Sequence, residues 1–213
     1  MTRLRAGILL FPDVEVLDFT GPFEVLSAAR LDESRRREEP SPFDVVTVAE
    51  RAEPIRATGG LRVVPDVTFD TCPWLDALVV PGGWGTRTEV DNPNLIAWLA
   101  RTAAGARWVT SVCTGTFLLA RAGVVAGRRV TTHWRSLDRL RTTHPDLTVD
   151  DEAQVTRDGN IWTSAGIAAG IDLALLVVAD ACGESVARST ARHMEYPYPD
   201  GSRRRVPVTP ATP

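Results

Sequence analysis

Cys113 is the residue of this chain best placed for covalent chemistry. Between Arg107 and Ala120 an apolar, β-branched run ends at Cys113, and Thr114, Gly115 and Thr116 then open an apolar helical pattern. That pattern predicts a buried strand, a sharp turn with the thiol at its tip, and a helix, the cysteine counterpart of a strand–turn–helix nucleophile elbow. A thiol at a helix N-terminus meets free backbone N–H groups and the positive end of the helix dipole, which favour the nucleophilic thiolate. The alternative is a packed structural thiol. The placement between strand and helix favours the reactive one, whereas Cys72 and Cys182 lack that setting.

Other residues offer the remaining parts of a site. In Pro81-Gly82-Gly83-Trp84-Gly85 the side-chain-free backbone of Gly82 and Gly83 can approach a developing negative charge. The Gly83 and Thr114 N–H groups would then form an oxyanion-type pair. Asp18 lies in Val16-Leu17-Asp18-Phe19-Thr20-Gly21-Pro22, between apolar neighbours. Partial burial there raises a carboxyl pKa and suits proton donation near neutrality; a helix-capping carboxylate is the plain alternative. Glu24 competes for the same role on equal terms, and Gly21 is a candidate for close substrate approach. His133 ends a predicted strand in Thr131-Thr132-His133-Trp134, where it either orients Cys113 or serves as a structural residue. Ala165 and Gly166 are candidate supporting residues.

These residues need a scaffold that brings distant segments together. Apolar runs at Leu4–Phe11, Phe43–Ala49, Leu75–Val80 and before Cys113 predict buried strands, and amphipathic or alanine-rich segments between them predict helices. Asp91 or Asn92 caps a helix opening at Pro93, Ile55–Val64 suggests a small hairpin, and Asp158-Gly159 marks a hairpin turn. Pro22 is expected in the first turn of the first helix. The expected fold is α/β: a flavodoxin-like three-layer sandwich, mainly parallel, with helices on both faces. In such sheets ligands gather at the carboxyl ends of the strands, so the loops after Phe11, Val80, Val112 and Thr132 are expected to meet. Residues 1–196 are expected to form one domain, and 197–213 a proline- and arginine-rich tail or partner-docking arm.

Composition excludes several classes. All 24 basic residues are arginine, so Schiff-base chemistry on lysine is ruled out. Net charge is −3 and no basic face dominates, giving no support for nucleic-acid binding. Three cysteines without paired CxxC spacing disfavour a structural zinc site. No apolar run is long enough to span a bilayer and no signal-like segment opens the chain, which points to the cytoplasm and away from membranes.

The segments Phe11-Pro12-Asp13 to Pro22, Pro81-Gly82-Gly83, Ser111 to Gly115, Thr131 to Trp134 and Thr163 to Gly166 occur in that order. Together they resemble the ThiJ/PfpI superfamily, the class I glutamine-amidotransferase-like fold, over about residues 4 to 196. Within it the chain looks most like the isonitrile hydratase subgroup. That resemblance assigns catalytic roles to Cys113, Thr114 and Asp18 and implies a small-molecule substrate, no metal or organic cofactor, and a homodimer. Peptidase-type members carry histidine directly after the cysteine, where this chain has Thr114. Glyoxalase-type members use a glutamate and a histidine, a pattern Glu24 and His133 keep open. AraC-type regulators add a helix-turn-helix domain, for which a chain ending at Pro213 is expected to have no room. Redox sensing or ligand binding without catalysis is the second functional class.

Overall fold

A computed structural model of the chain describes residues 2–199, 201, 203–206 and 208. The elements in chain order are β1 (Leu4–Leu9), α1 (Val16–Ala28), β2 (Phe43–Ala49), β3 (Ile55–Arg56), β4 (Arg62–Val63), β5 (Val67–Thr68) and β6 (Ala77–Val80). There follow α2 (Thr86–Glu89), α3 (Pro93–Ala103), β7 (Trp108–Val112), α4 (Gly115–Arg121), β8 (Arg129–Val130) and α5 (Leu137–Thr143). The chain closes with β9 (Thr148–Val149), β10 (Val155–Asp158), β11 (Ile161–Ser164), α6 (Ala169–Cys182) and α7 (Glu184–His193).

Seven strands form one sheet in the order β10-β11-β7-β6-β1-β2-β5. Every pair is parallel except the β10–β11 hairpin at the edge. The all-buried patterns of β6 and β7 explain why those stretches read as continuous apolar runs: both faces of the sheet are covered. α1, α6 and α7 pack together, while α3 and α4 pack with each other away from them, which makes the three-layer α/β sandwich. Trp108, Phe11, Phe43 and Leu78 are among the largest fully buried side chains of the core.

The first helix differs from expectation. It starts at Val16, so Pro22 sits in its interior and not in its first turn. Pro22 has no N–H to give the carbonyl of Asp18, and burial of the helix against α6 offsets that loss. Asp18 thereby lies in the opening turn of α1, inside the helix rather than ahead of it. Short elements absent from the sequence reading, β5, α2 and β9, hold two to four residues each and carry too few positions for any periodicity.

The described part of the expected tail lies back on the molecule. Arg203 bridges Ala153, and the Arg205 guanidinium meets the fully buried Asp172 carboxylate at 2.6 Å. Residues 200, 202, 207 and 209–213 of the expected tail lie outside the described residues. Among those described, no helix is long and apolar enough to cross a membrane, and no cluster of three or more His, Cys, Asp or Glu side chains could hold a metal ion.

Candidate active site

β7 is fixed between β6 and β11 in register Val80 with Ser111 and Ser164 with Val112, so the chain leaves the sheet at Cys113. Cys113 has φ 55°, a left-handed conformation for a residue with a Cβ. Such a conformation costs about 1–2 kcal/mol and persists only when its surroundings impose it. They do so here. The Cys113 N–H donates to the carbonyls of Ser164 (3.3 Å) and Ala165 (3.2 Å). Its carbonyl accepts from Thr132 Oγ1 at 2.7 Å, and Thr116 Oγ1 donates to the carbonyl of Thr131 at 2.9 Å. Close passage behind the turn requires a glycine at 115, where a Cβ would lie 2.1 Å from the Val80 carbonyl oxygen.

The carboxylate beside the thiol belongs to Asp18. It is fully buried, and Gly82 donates its N–H to Asp18 Oδ2 at 2.9 Å. Asp18 Oδ1 is buried with no hydrogen-bond partner. Burial, reinforced by the charge of Glu15, pushes the Asp18 carboxyl up to about 8, against the opposing effects of the Gly82 N–H and the Cys113 thiol. A carboxyl of that kind is protonated at neutral pH and is a proton donor. Glu24, its competitor, is exposed on the outer face of α1. The two sit on different sides of the helix: Asp18 is fully buried and Glu24 is exposed.

The thiol departs from the expected open thiolate. Cys113 is 7% exposed. Burial first, and then the neighbouring Asp18 carboxyl, hold its pKa well above the usual thiol range, although the Thr114 N–H and hydroxyl pull the other way. The short α4 and its free N–H groups do not outweigh desolvation. The resting pair is a thiol beside a carboxylic acid.

The two glycines also act differently from expectation. Gly82 spends its N–H on Asp18, and Gly83 donates its N–H to Thr114 Oγ1 at 3.0 Å, so neither is free for an oxyanion. Glycine is needed at both places for space. A Cβ on Gly82 would stand 2.5 Å from the Thr114 nitrogen, and one on Gly83 2.4 Å from the Glu15 nitrogen. Gly21 lies inside α1, where a Cβ would meet Ile171 of α6 at 3.0 Å.

The chain was compared with known families and structures. The DJ-1/PfpI family model matches residues 4–180. The chain belongs to the DJ-1/PfpI family. One family relative, the isonitrile hydratase of Pseudomonas putida, is 38% identical over 96% of this chain and 85% of its own length. The HTH-type transcriptional regulator CdhR of Pseudomonas aeruginosa is 31% identical over 84% of this chain, which spans about half (51%) of the regulator. The crystal structure of a ThiJ/PfpI family protein from Pseudomonas syringae superposes with a TM-score of 0.81 at 32% identity, covering 94% of this chain and 78% of that one.

Other residues complete this DJ-1/PfpI elbow. Thr86 Oγ1 lies within hydrogen-bond distance of the Gly83 carbonyl (2.8 Å) and of Thr114 Oγ1 (3.2 Å); its single proton is shared between these two acceptors, and the contact places the Thr114 hydroxyl. Thr86 went unread in the sequence, where a threonine just beyond a glycine turn carries little signal. Glu15 was also missed, and it raises both members of the pair by charge. In Thr131-Thr132-His133-Trp134 it is Thr132, not His133, that holds the elbow. His133 Nδ1 accepts from the Arg135 N–H at 3.3 Å, and its ring lies where a side chain on Gly166 would stand. No hydrogen bond among the described residues joins His133 to Cys113. Burial, then Arg135 and Arg204, hold its pKa below the usual imidazole value. Ala165 supports the elbow through its carbonyl, and Gly166 by leaving room for His133.

Proposed function

We propose that this protein hydrates an isonitrile to an N-substituted formamide through Cys113. The pairing of a buried thiol with a carboxyl that holds its proton at neutral pH carries the reading. An isonitrile, R–N≡C, reacts at its terminal carbon, which must gain both a proton and a nucleophile. Asp18 donates its proton to that carbon, and the sulfur bonds to it while the thiol proton passes to the Asp18 carboxylate. The product is the thioimidate R–N=CH–S–Cys113. Water then adds to the carbon and gives one proton to the Asp18 carboxylate as Asp18 protonates the nitrogen; the C–S bond of the resulting R–NH–CH(OH)–S–Cys113 breaks as its hydroxyl proton passes to the sulfur. R–NH–CHO leaves and the thiol is restored. Thr114 steadies the sulfur through its N–H and hydroxyl. The first step protonates carbon and builds no oxyanion, which fits a loop whose N–H groups are already engaged. The P. putida isonitrile hydratase, similar over nearly the whole chain, supports the same reading.

The test is turnover of cyclohexyl isocyanide, followed as N-cyclohexylformamide by chromatography. Formamide formed at the rate of a Cys113→Ala control overturns the reading. A second class, a ligand-binding module without catalysis, draws on the similarity to CdhR. It predicts saturable binding with no formamide. Redox sensing loses support because the thiol is buried and protonated, and the glyoxalase-like reading loses its carboxylate because Glu24 faces water. A cytoplasmic homodimer is part of the proposal through the family resemblance, and light scattering in solution reads the mass.

A further inference from the structure

Two guanidiniums lie near the first turn of α4 without an ion-pair partner among the described residues. The Arg139 guanidinium lies over the Phe117 ring at 4.2 Å, and that of Arg87 over the Trp84 ring at 3.7 Å. The two are close enough that Arg87, after burial, lowers the pKa of Arg139. Neither donates a side-chain hydrogen bond or forms an ion pair among the described residues. Some other ring-stacked arginines carry a carboxylate, Arg157 with Asp180 and Arg205 with Asp172, whereas Arg107 on Trp108 and Arg135 on Trp134 form no ion pair among the described residues; what sets Arg87 and Arg139 apart is their position beside the elbow. Both free guanidiniums flank the elbow. Arg87 adjoins Thr86, which is bonded to Thr114, and Phe117, under Arg139, donates its N–H to the Thr114 carbonyl at 3.1 Å in the turn that opens α4. On the other side Arg135 stacks on Trp134 at 4.8 Å beside His133. Of the nearby carboxyls, Asp18 holds its proton, Glu89 is buried and bonded to Asn92, and Asp138 pairs with Arg141. Glu15 acts by charge on Asp18 and Cys113 and forms no ion pair with either arginine among the described residues.

We propose that the substrate is anionic: an isonitrile bearing a carboxylate, held by Arg87 and Arg139 while its terminal carbon faces Cys113. This rests on the hydration reading and adds the substrate class to it. Two like charges kept together without a partner are stabilised by an anion placed between them, and a rim of one sign also raises its local concentration. The aromatic rings hold the planar guanidiniums in place for two-point carboxylate recognition.

Two matched pairs of reagents test this at low ionic strength. Isocyanoacetate is compared with its methyl ester, and iodoacetate with iodoacetamide as alkylators of Cys113, read by mass spectrometry against Cys72. The anionic isonitrile is expected to exceed its ester in kcat/KM by about tenfold, an advantage that shrinks with added salt. The Arg87→Gln/Arg139→Gln double variant removes that advantage and changes ester turnover less than about twofold, whereas Arg87→Lys/Arg139→Lys keeps part of it. An ester turned over as fast as the anion, or an advantage that survives the double Gln variant, overturns the proposal. If neither isonitrile reacts, the hydration reading falls, and alkylation decides the anion site independently. The iodoacetate-to-iodoacetamide rate ratio at Cys113 should drop about tenfold in the double Gln variant; an unchanged ratio overturns it.

Discussion

At the residue scale, the proton inventory of the Cys113–Asp18 pair governs behaviour. Asp18→Asn keeps an acceptor for the Gly82 N–H but has no proton to give, and kcat is expected to fall on the order of 10²- to 10³-fold. In the unmodified protein the rate should decline as pH rises through about 8, where Asp18 ionises. The same carboxyl costs stability. Its folded pKa lies above its unfolded value of 3.8, so the native chain holds a proton that the unfolded chain has released. Stability is therefore full below pH ~4 and falls by about 1.4 kcal/mol per pH unit until pH ~8. Asp18→Asn should abolish that slope and raise Tm more at pH 8 than at pH 5, measured by thermal melts across the range. A lower Tm at pH 8 would contradict the assignment. Cys113 stores strain of another kind. Because its φ is 55°, Cys113→Gly should be more stable than Cys113→Ala by about 1 kcal/mol in urea titrations, although both are inactive.

The elbow is an element-scale device. β7 ends at a fixed register, α4 begins three residues later, and the loop after β6 is so closely packed that three of its residues, Gly82, Gly83 and Gly85, must be glycine. Gly82→Ala drives a methyl into the Thr114 nitrogen and hydroxyl, at 2.5 and 2.6 Å, and towards Asp18 Oδ2 at 2.9 Å. The loop must shift, breaking the Gly82–Asp18 and Gly83–Thr114 hydrogen bonds together. A loss of about 2–3 kcal/mol in stability and of nearly all activity is expected. Gly123, whose added Cβ would meet nothing, is the control: Gly123→Asn tolerates its φ of 72° and should leave turnover within about twofold.

Across the whole molecule, residues far apart in the chain close the structure around the site. The buried Asp172 accepts from Gln154, Tyr196 and Arg205. Among the described residues Arg205 is its charge partner. Arg205→Met leaves that carboxylate buried beside two neutral donors and should cost about 3 kcal/mol, seen as a lower urea midpoint. Arg203 meets Glu152 at 4.0 Å with both side chains almost fully exposed, and Arg203→Ala should change nothing measurable. A clasp built this way also reaches the elbow, since Arg204 donates to the Thr132 carbonyl at 2.9 Å and Thr132 holds Cys113.

The amino-acid sequence by itself determined the order of strands and helices, the α/β class, the elbow at Cys113 and the family, because these depend on local periodicity, turn chemistry and short contiguous motifs. It did not separate Asp18 from Glu24, and it singled out His133 in a segment where Thr132 holds the elbow. Those choices depend on which side of a helix or loop faces the sheet, and only packing sets that. Tertiary structure likewise decided the charge state of the thiol and the use of the glycine N–H groups. Burial and one neighbouring carboxyl outweigh the end of a short helix, and a close loop crossing consumes donors that looked free. The chain writes down which groups are present; the low-dielectric interior, assembled from segments up to about a hundred residues apart, sets their protons.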